Sequence, residues 1–306
     1  MKYGKYLIGL VGLLIAISLP KFLGIYYLQM LNIVLIYAVF ALSWDMLMRS
    51  GQLSFGIAGF AGIGGYVSVL CSYYFSINPI FSILAGSLFA ALIAALVGMA
   101  VLRLRLLYFA IVTLAIGEIF RIVIRNLEFT GGAEGMILPN AIFKGDAAST
   151  YWLMLTIGVL TVIVSIFFQK SKMRFALTSI ANDEIVAASS GVNILKYLVI
   201  IFAITSGIQG MSGAAYSQLY GSVTPEGQFS GSFTILPIVM ALFGGLGTTW
   251  GPVLGAAILT IVAEALKLRI PYGYLLVYGV IMVVAILWFP GGIMGFLKKI
   301  HEKLSH

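Results

Sequence analysis

The stretch RFALTSIANDEIVAASSGVN, residues 174–193, decides how this chain is read. On one side stands LMLTIGVLTVIVSIFF and on the other YLVIIFAITSGIQGM, both long and apolar enough to belong to membrane spans. The residues between them are too polar to cross a bilayer and too regular to be a loose linker. Leu177, Ile180, Ala181, Ile185 and Ala188 recur at roughly helical spacing, and Gly191 is a natural helix terminator. Asn182 or Asp183 is placed to cap a short final helix, 184–190, with the acidic pair Asp183-Glu184 at its positive end. One bent helix or two short ones are expected, lying near the membrane surface. Such an element either docks a partner protein or only touches lipid headgroups. Its small Ala and Ser residues and its acidic pair suit a protein groove better than an anionic membrane.

Composition makes the chain an integral membrane protein. Of 306 residues, 61% are hydrophobic and only 9% charged, against about 25% charged in soluble domains; the mean hydropathy is +1.08. The 35 glycines fit close helix packing in a bilayer. Cys71 is the single cysteine, so no internal disulfide forms. His301 and His306, the only histidines, lie in the C-terminal tail and leave no His-based metal or haem site for the membrane. The net charge of +8 sits at span ends, as the positive-inside rule requires, and does not point to nucleic acid.

Ten candidate spans follow: about 6–20, 23–48, 51–74, 79–102, 106–125, 151–169, 197–220, 232–248, 251–267 and 272–289. Residues 6–20 read as an uncleaved first helix rather than a signal peptide, because ISLP makes a poor cleavage site. With ten alternating spans, Lys2, Lys5, Arg49, Arg103, Arg105, Lys170, Lys172, Arg174, Lys298, Lys299 and Lys303 fall on one side. That side is cytoplasmic by the positive-inside rule, so both termini and segment 170–196 are expected inside a cell membrane. The whole of 1–306 is read as one transmembrane domain.

The segment NDEIVAASSGVNILKYLVIIFAITSGIQGMSGAAY resembles the cytoplasmic loop and following helix of ABC importer permeases of the branched-chain amino-acid family. It is also loosely similar to the EAA loop of other ABC importers, with the second alanine displaced. Other blocks agree in order. GQLSFGIAGFAGIGGY, 51–66, resembles the family's GQLSLGHAAFFGIGAY, with Ile57 where the histidine stands. RLRLLYFAIVTLAIGEIFRIVIRN, 103–126, is similar to RLRG-YFAIVTLAFGEI-R. TGGAEGM, 130–136, resembles TGG-NG with Glu134 in place of Asn, and LFGGLGTTWGPVLGAA, 242–257, resembles LGGLGS-WGPVLGA. The M-type subunit, which pairs with an H-type sister permease, fits best.

The resemblance implies an all-α type II importer permease with inverted halves, sitting in a bacterial or archaeal cell membrane. It implies two ATPase subunits that hold ATP and Mg, a sister permease and an extracytoplasmic solute-binding protein. The coupling residues it marks are Asp183, Glu184, Ala187, Ala188 and Gly191. Leucine, isoleucine and valine are the family's default cargo, and urea and short amides travel through close relatives.

Other candidates come from the residues themselves. Glu118, Arg121 and Arg125 share a helix face, and a charge in hydrocarbon costs about 2.5–3.5 kcal/mol on insertion scales. They form either an outer vestibule or an intrahelical pair, Glu118-Arg121, that neutralises itself. Gly59, Gly62 and Gly65, at i, i+3 and i+6, lie close on one face suited to packing, Gly56 belongs to the same glycine-rich segment, and Gln52 and Ser54 are candidates to line a translocation path. Gly244, Gly245 and Gly247 lie in a turn between two antiparallel spans. Thr130, Gly131 and Gly132 lie in a turn-rich loop that is a candidate contact for a binding protein. No Walker motif occurs, so this chain does not hydrolyse ATP. An ion-coupled transporter would lean on Asp45, Glu118 or Glu264. An intramembrane enzyme lacks a nucleophile-base or metal constellation.

Overall fold

The computed structural model describes residues 16–139, 142–270, 272–288, 291–296 and 298. Most of the first expected span, 6–20, lies outside them. Twelve helices organise the described residues: α1 (Ile25–Met48), α2 (Ile57–Phe75), α3 (Pro79–Val101), α4 (Leu106–Asn126), α5 (Ala147–Lys170), α6 (Lys172–Asn182), α7 (Glu184–Ser189), α8 (Ile194–Tyr220), α9 (Pro225–Gln228), α10 (Ser232–Gly244), α11 (Trp250–Arg269) and α12 (Tyr274–Trp288). Among the described residues, eight segments are long and apolar enough to cross a membrane, one of them formed by α9 and α10 together.

Local chemistry starts these helices where they start. Asn78 accepts from the Ile80 N–H ahead of Pro79 and opens α3. Asp146 accepts from the Ser149 N–H and opens α5; hydrogen bonding from Ser149 holds its carboxyl below the usual carboxylate range. Asn193 does the same for α8 through the Lys196 N–H. Thr224 and Pro225 start the single turn of α9.

Two packed groups share α8. In one, α8 crosses α2 and α3, with α4 leaning on α2; in the other, α1 packs against α5, α10 and α11. Small residues set the approach in the first group. A Cβ on Gly64 of α2 would fall on the Gly210 carbonyl of α8, and one on Gly86 of α3 would fall on the Gly64 carbonyl. Backbones therefore touch where side chains would otherwise stand, the close-contact route to helix association in lipid. Around this crossing Phe60, Phe109 and Phe202 are buried edge to face.

Two expected spans need correction. The span 51–74 does not begin as a helix: residues 52–56 are irregular, and α2 starts only at Ile57. Non-helical backbone at this depth has to be satisfied by protein. Here the Trp44 indole donates to the Ser54 carbonyl at 2.8 Å, the Phe55 N–H donates to the Thr113 hydroxyl at 2.9 Å, and the Ala58 N–H donates to the Thr234 hydroxyl at 3.2 Å. The span 232–248 ends at Gly244 and is 13 residues long. At 1.5 Å per residue that is about 20 Å, short of a hydrocarbon core of about 30 Å, so the turn of α9 and residues 229–231 complete the crossing. The span 272–289 is met by α12, 15 residues long among the described residues.

Candidate functional site

The polar segment 174–193 is two helices, α6 and α7, meeting at Asp183. The Asp183 carboxylate accepts from the N–H groups of Ile185 at 2.8 Å and Val186 at 3.1 Å, as a helix cap does. Helix α6 turns Ala176, Leu177 and Ile180 inward. Helix α7 turns only Ala187 inward and leaves Ile185 80% and Val186 60% exposed. Ala188 is exposed and Gly191 ends the segment in a left-handed conformation. Glu184 is not free. Its carboxylate pairs with the Arg105 guanidinium, so the residue just before α4 holds the start of α7. Leu106, which follows, sits in the left-handed region at φ +46°, where the family pattern carries glycine.

Helix α4 connects this end of the molecule to the other. Only Phe109, Ala110 and Thr113 of its 21 residues are buried. It packs closely at Gly117 against Gly59 of α2, where a Cβ on Gly59 would stand 2.8 Å from the Gly117 Cα. Beyond that crossing Arg121 donates to Glu118 at 2.8 Å. The pair is not closed on itself. Glu226, on the single turn α9, lies 3.4 Å from Arg121 and 3.3 Å from Arg125. Sequence reasoning missed Glu226, because it stands 105 residues from Arg121 with nothing to link the two.

This changes what a charge swap at 118 and 121 reports. Glu118→Arg with Arg121→Glu places a carboxylate beside Glu226, and like charges repel. The swapped protein is expected to accumulate poorly, and adding Glu226→Gln is expected to raise its yield, read by size-exclusion chromatography. Wild-type yield of the swap with Glu226 intact would show that residue 226 does not feel residue 121.

The remaining candidates are placed as follows. Gly62 faces Phe229 and Gly65 faces Gln228, whose side chain donates to the Gly213 carbonyl at 2.9 Å. Gly56 approaches Phe60 and Thr113. Gln52 and Ser54 are each only 3% exposed, so in this conformation neither lines an open path. Thr130 is buried, donating to the Ile124 and Leu127 carbonyls, and so turns its side chain away from any partner. Gly131 is exposed beside it. The loop is fastened from below, since strand β1 (Met136–Ile137) pairs antiparallel with strand β2 (Ser222–Val223) just ahead of α9.

The α10–α11 turn is built at the α6–α7 end. A Cβ on Gly244 would strike the Gly251 carbonyl, so α10 and α11 part at a backbone contact. Gly245 (φ +110°) and Gly247 (φ +76°) take conformations that L side chains rarely adopt. That geometry aims the Gly247 N–H at the Asp45 carboxylate of α1, 2.8 Å away.

The model of the family described as branched-chain amino acid transport system / permease component matches residues 26–286, nearly all of these elements. The chain belongs to this permease family. It is 28% identical to the high-affinity branched-chain amino acid transport system permease protein LivM of Escherichia coli (strain K12), over 92% of this chain and 73% of that protein. It is 25% identical to a probable LivM permease of Methanocaldococcus jannaschii, over 81% of this chain and 80% of that one. The LivH permease of Salmonella typhimurium is 27% identical over 85% of this chain and 91% of its own length. No solved structure matches. As a permease component this chain is a multi-pass membrane protein that transports rather than catalyses.

Proposed function

We propose that this chain is one of two permeases of an ATP-driven importer for branched-chain amino acids, working by alternating access. The observation that carries the reading is α7: a capped, water-borne helix that presents Ile185 and Val186 to solvent beside an anchored Glu184. Exposed apolar side chains on so polar a segment suit the groove of a soluble partner. That partner is the ATPase, which supplies ATP and Mg, and the α6–α7 end is cytoplasmic together with both termini.

The charged face of α4 supports placing the path there. Glu118 lies 13 residues beyond Arg105, about 20 Å along the helix and within hydrocarbon depth. Lipid does not solvate such charges. This face is therefore covered by the sister permease or by water in the passage between the two chains, and α2, with its glycines, stands behind it. At the far end the loop of Gly131 and Gly132, with Arg125 and Glu226, meets the solute-binding protein.

The test is reconstitution in liposomes with the cognate ATPases, sister permease and binding protein. ATP hydrolysis stimulated by leucine, isoleucine or valine, together with uptake of the same amino acid, is the expected result. Uptake without an ATPase, or stimulation by urea alone, overturns the reading. Ile185→Asp with Val186→Asp is expected to abolish ATPase co-purification while the permease still inserts.

A further inference from the structure

Below the glycine crossings, at the α6–α7 end, lies a polar cluster around the buried Asp45 whose assembly the sequence does not show. Asp45 is fully buried near the end of α1. One of its oxygens takes the Arg49 guanidinium, with Nε at 2.9 Å, and the other takes the Gly247 N–H at 2.8 Å. Arg49 also stacks over the Phe168 ring of α5, 5.8 Å from its centroid. The same α10–α11 turn is held from a second side. Thr249 shares a 2.9 Å hydrogen bond with Ser165 of α5, and Gln169, with its amide oxygen turned inward, accepts from Thr249 and from Arg49 at 3.1 Å. Two residues past Arg49, Gly51 lies against Ala181 of α6, where a Cβ would stand 3.3 Å from it. One short turn of chain thus touches the ATPase-docking segment on one side and grips the α10–α11 turn on the other.

We infer that Asp45 is a positioning residue of the transport cycle: by tethering the Gly247 N–H it makes the α10–α11 turn move with α1, α5 and the docking segment. The inference rests on the importer reading above and adds a mechanical route to it. Helix α5 runs into α6 across Ser171 alone, so displacement of α6 and α7 by the ATPase reaches Phe168 and Gln169 directly. From there the links are all short and converge on the buried Asp45 and Thr249: Gln169 to Arg49 and Thr249, Arg49 to Asp45, Asp45 to Gly247. Hydrogen bonds to a charged group, as at the buried Asp45 carboxylate, are stronger than neutral ones. The turn has no slack of its own, because α10 and α11 already touch backbone to backbone at Gly244 and Gly251. Pulling Gly247 therefore carries the ends of both helices.

Two double substitutions separate the tether from plain charge neutralisation. Asp45→Asn with Arg49→Gln removes both charges and keeps a carbonyl oxygen for Gly247. Asp45→Leu with Arg49→Met removes both charges and the tether. Each is assembled with the cognate ATPases, sister permease and binding protein in liposomes. Amino acid taken up per ATP hydrolysed is then read beside basal hydrolysis.

The Asn/Gln complex is expected to keep this ratio within about threefold of wild type. The Leu/Met complex is expected to assemble, keep basal hydrolysis and lose the ratio by about tenfold or more. Equal ratios for the two overturn the inference. Should the Leu/Met protein fail to assemble, Asp45→Ala with Arg49→Gln decides: it removes the carboxylate that holds the Gly247 N–H while leaving the Thr249 contact to α5 in place, and a ratio equal to that of the Asn/Gln complex overturns the inference. Failure of wild-type complexes to couple at all would instead strike the importer reading.

Discussion

Replacing Gly64 with leucine is expected to abolish accumulation of the folded permease. A Cβ at this position lands on backbone atoms of Gly210 in α8, and the neighbouring Gly86 of α3 already rests on the Gly64 carbonyl. Three helix backbones meet there, and none has a flexible end that gives way. Overpacking a core costs about 1–3 kcal/mol when side chains can shift. Here the helices themselves must separate, and the Phe60–Phe202 contact beside them must open. Gly62→Leu is the matched comparison. Its neighbour is the Phe229 ring, a side chain, so it is expected to reduce accumulation less. Detergent-extracted yield and melting temperature, measured for both variants, give the order. Equal yields for Gly64→Leu and wild type would mean that α2 and α8 do not cross where the structure has them.

The difference between these two glycines was not legible in the sequence. Glycine-rich 51–66 announced close packing, yet spacing alone set Gly59, Gly62 and Gly65 on one face and said nothing of Gly64. The structure gives the segment two working faces, one toward α4 and α9, the other toward α3 and α8. The spans were readable because lipid demands long apolar runs. The cap at Asp183 was readable because capping is local, a matter of two or three residues. What failed was whatever depends on long-range meeting. The shortness of α10 was hidden by an apolar run that continues through Pro237 into the turn. Glu226 and Gly247 become partners of Arg121 and Asp45 only once the helices are assembled, across separations of 105 and 202 residues. Asp45 itself looked like a lone intramembrane acid, the mark of ion coupling. Its two oxygens are both taken, one by Arg49 and one by a backbone N–H.

Exchanging Arg105 and Glu184 is the most direct test of how the proposed docking would reach the membrane. Glu184→Lys alone sets two cations together at the start of α7, where the helix N-terminus already favours an anion. The cap at Asp183 stays in place, and Ala187 keeps its buried contact, so α7 itself persists. Insertion and yield are therefore expected to match wild type, while substrate-stimulated ATP hydrolysis falls by about tenfold or more. Arg105→Glu alone is expected to do the same from the α4 side. The double exchange, Arg105→Glu with Glu184→Arg, restores opposite charges across the gap and is expected to recover most of the stimulation. Helix capping does not explain such recovery, since the exchanged pair puts a cation at the N-terminus of α7 as the single substitution does. A pair so exposed adds little to stability. Its effect on coupling is larger because it joins α7 to α4, a helix little buried against its neighbours that carries Glu118 and Arg121 at its other end. Normal coupling in Glu184→Lys would remove Arg105 from the route and leave the α5–α6 junction as the path by which the proposed ATPase would move this chain.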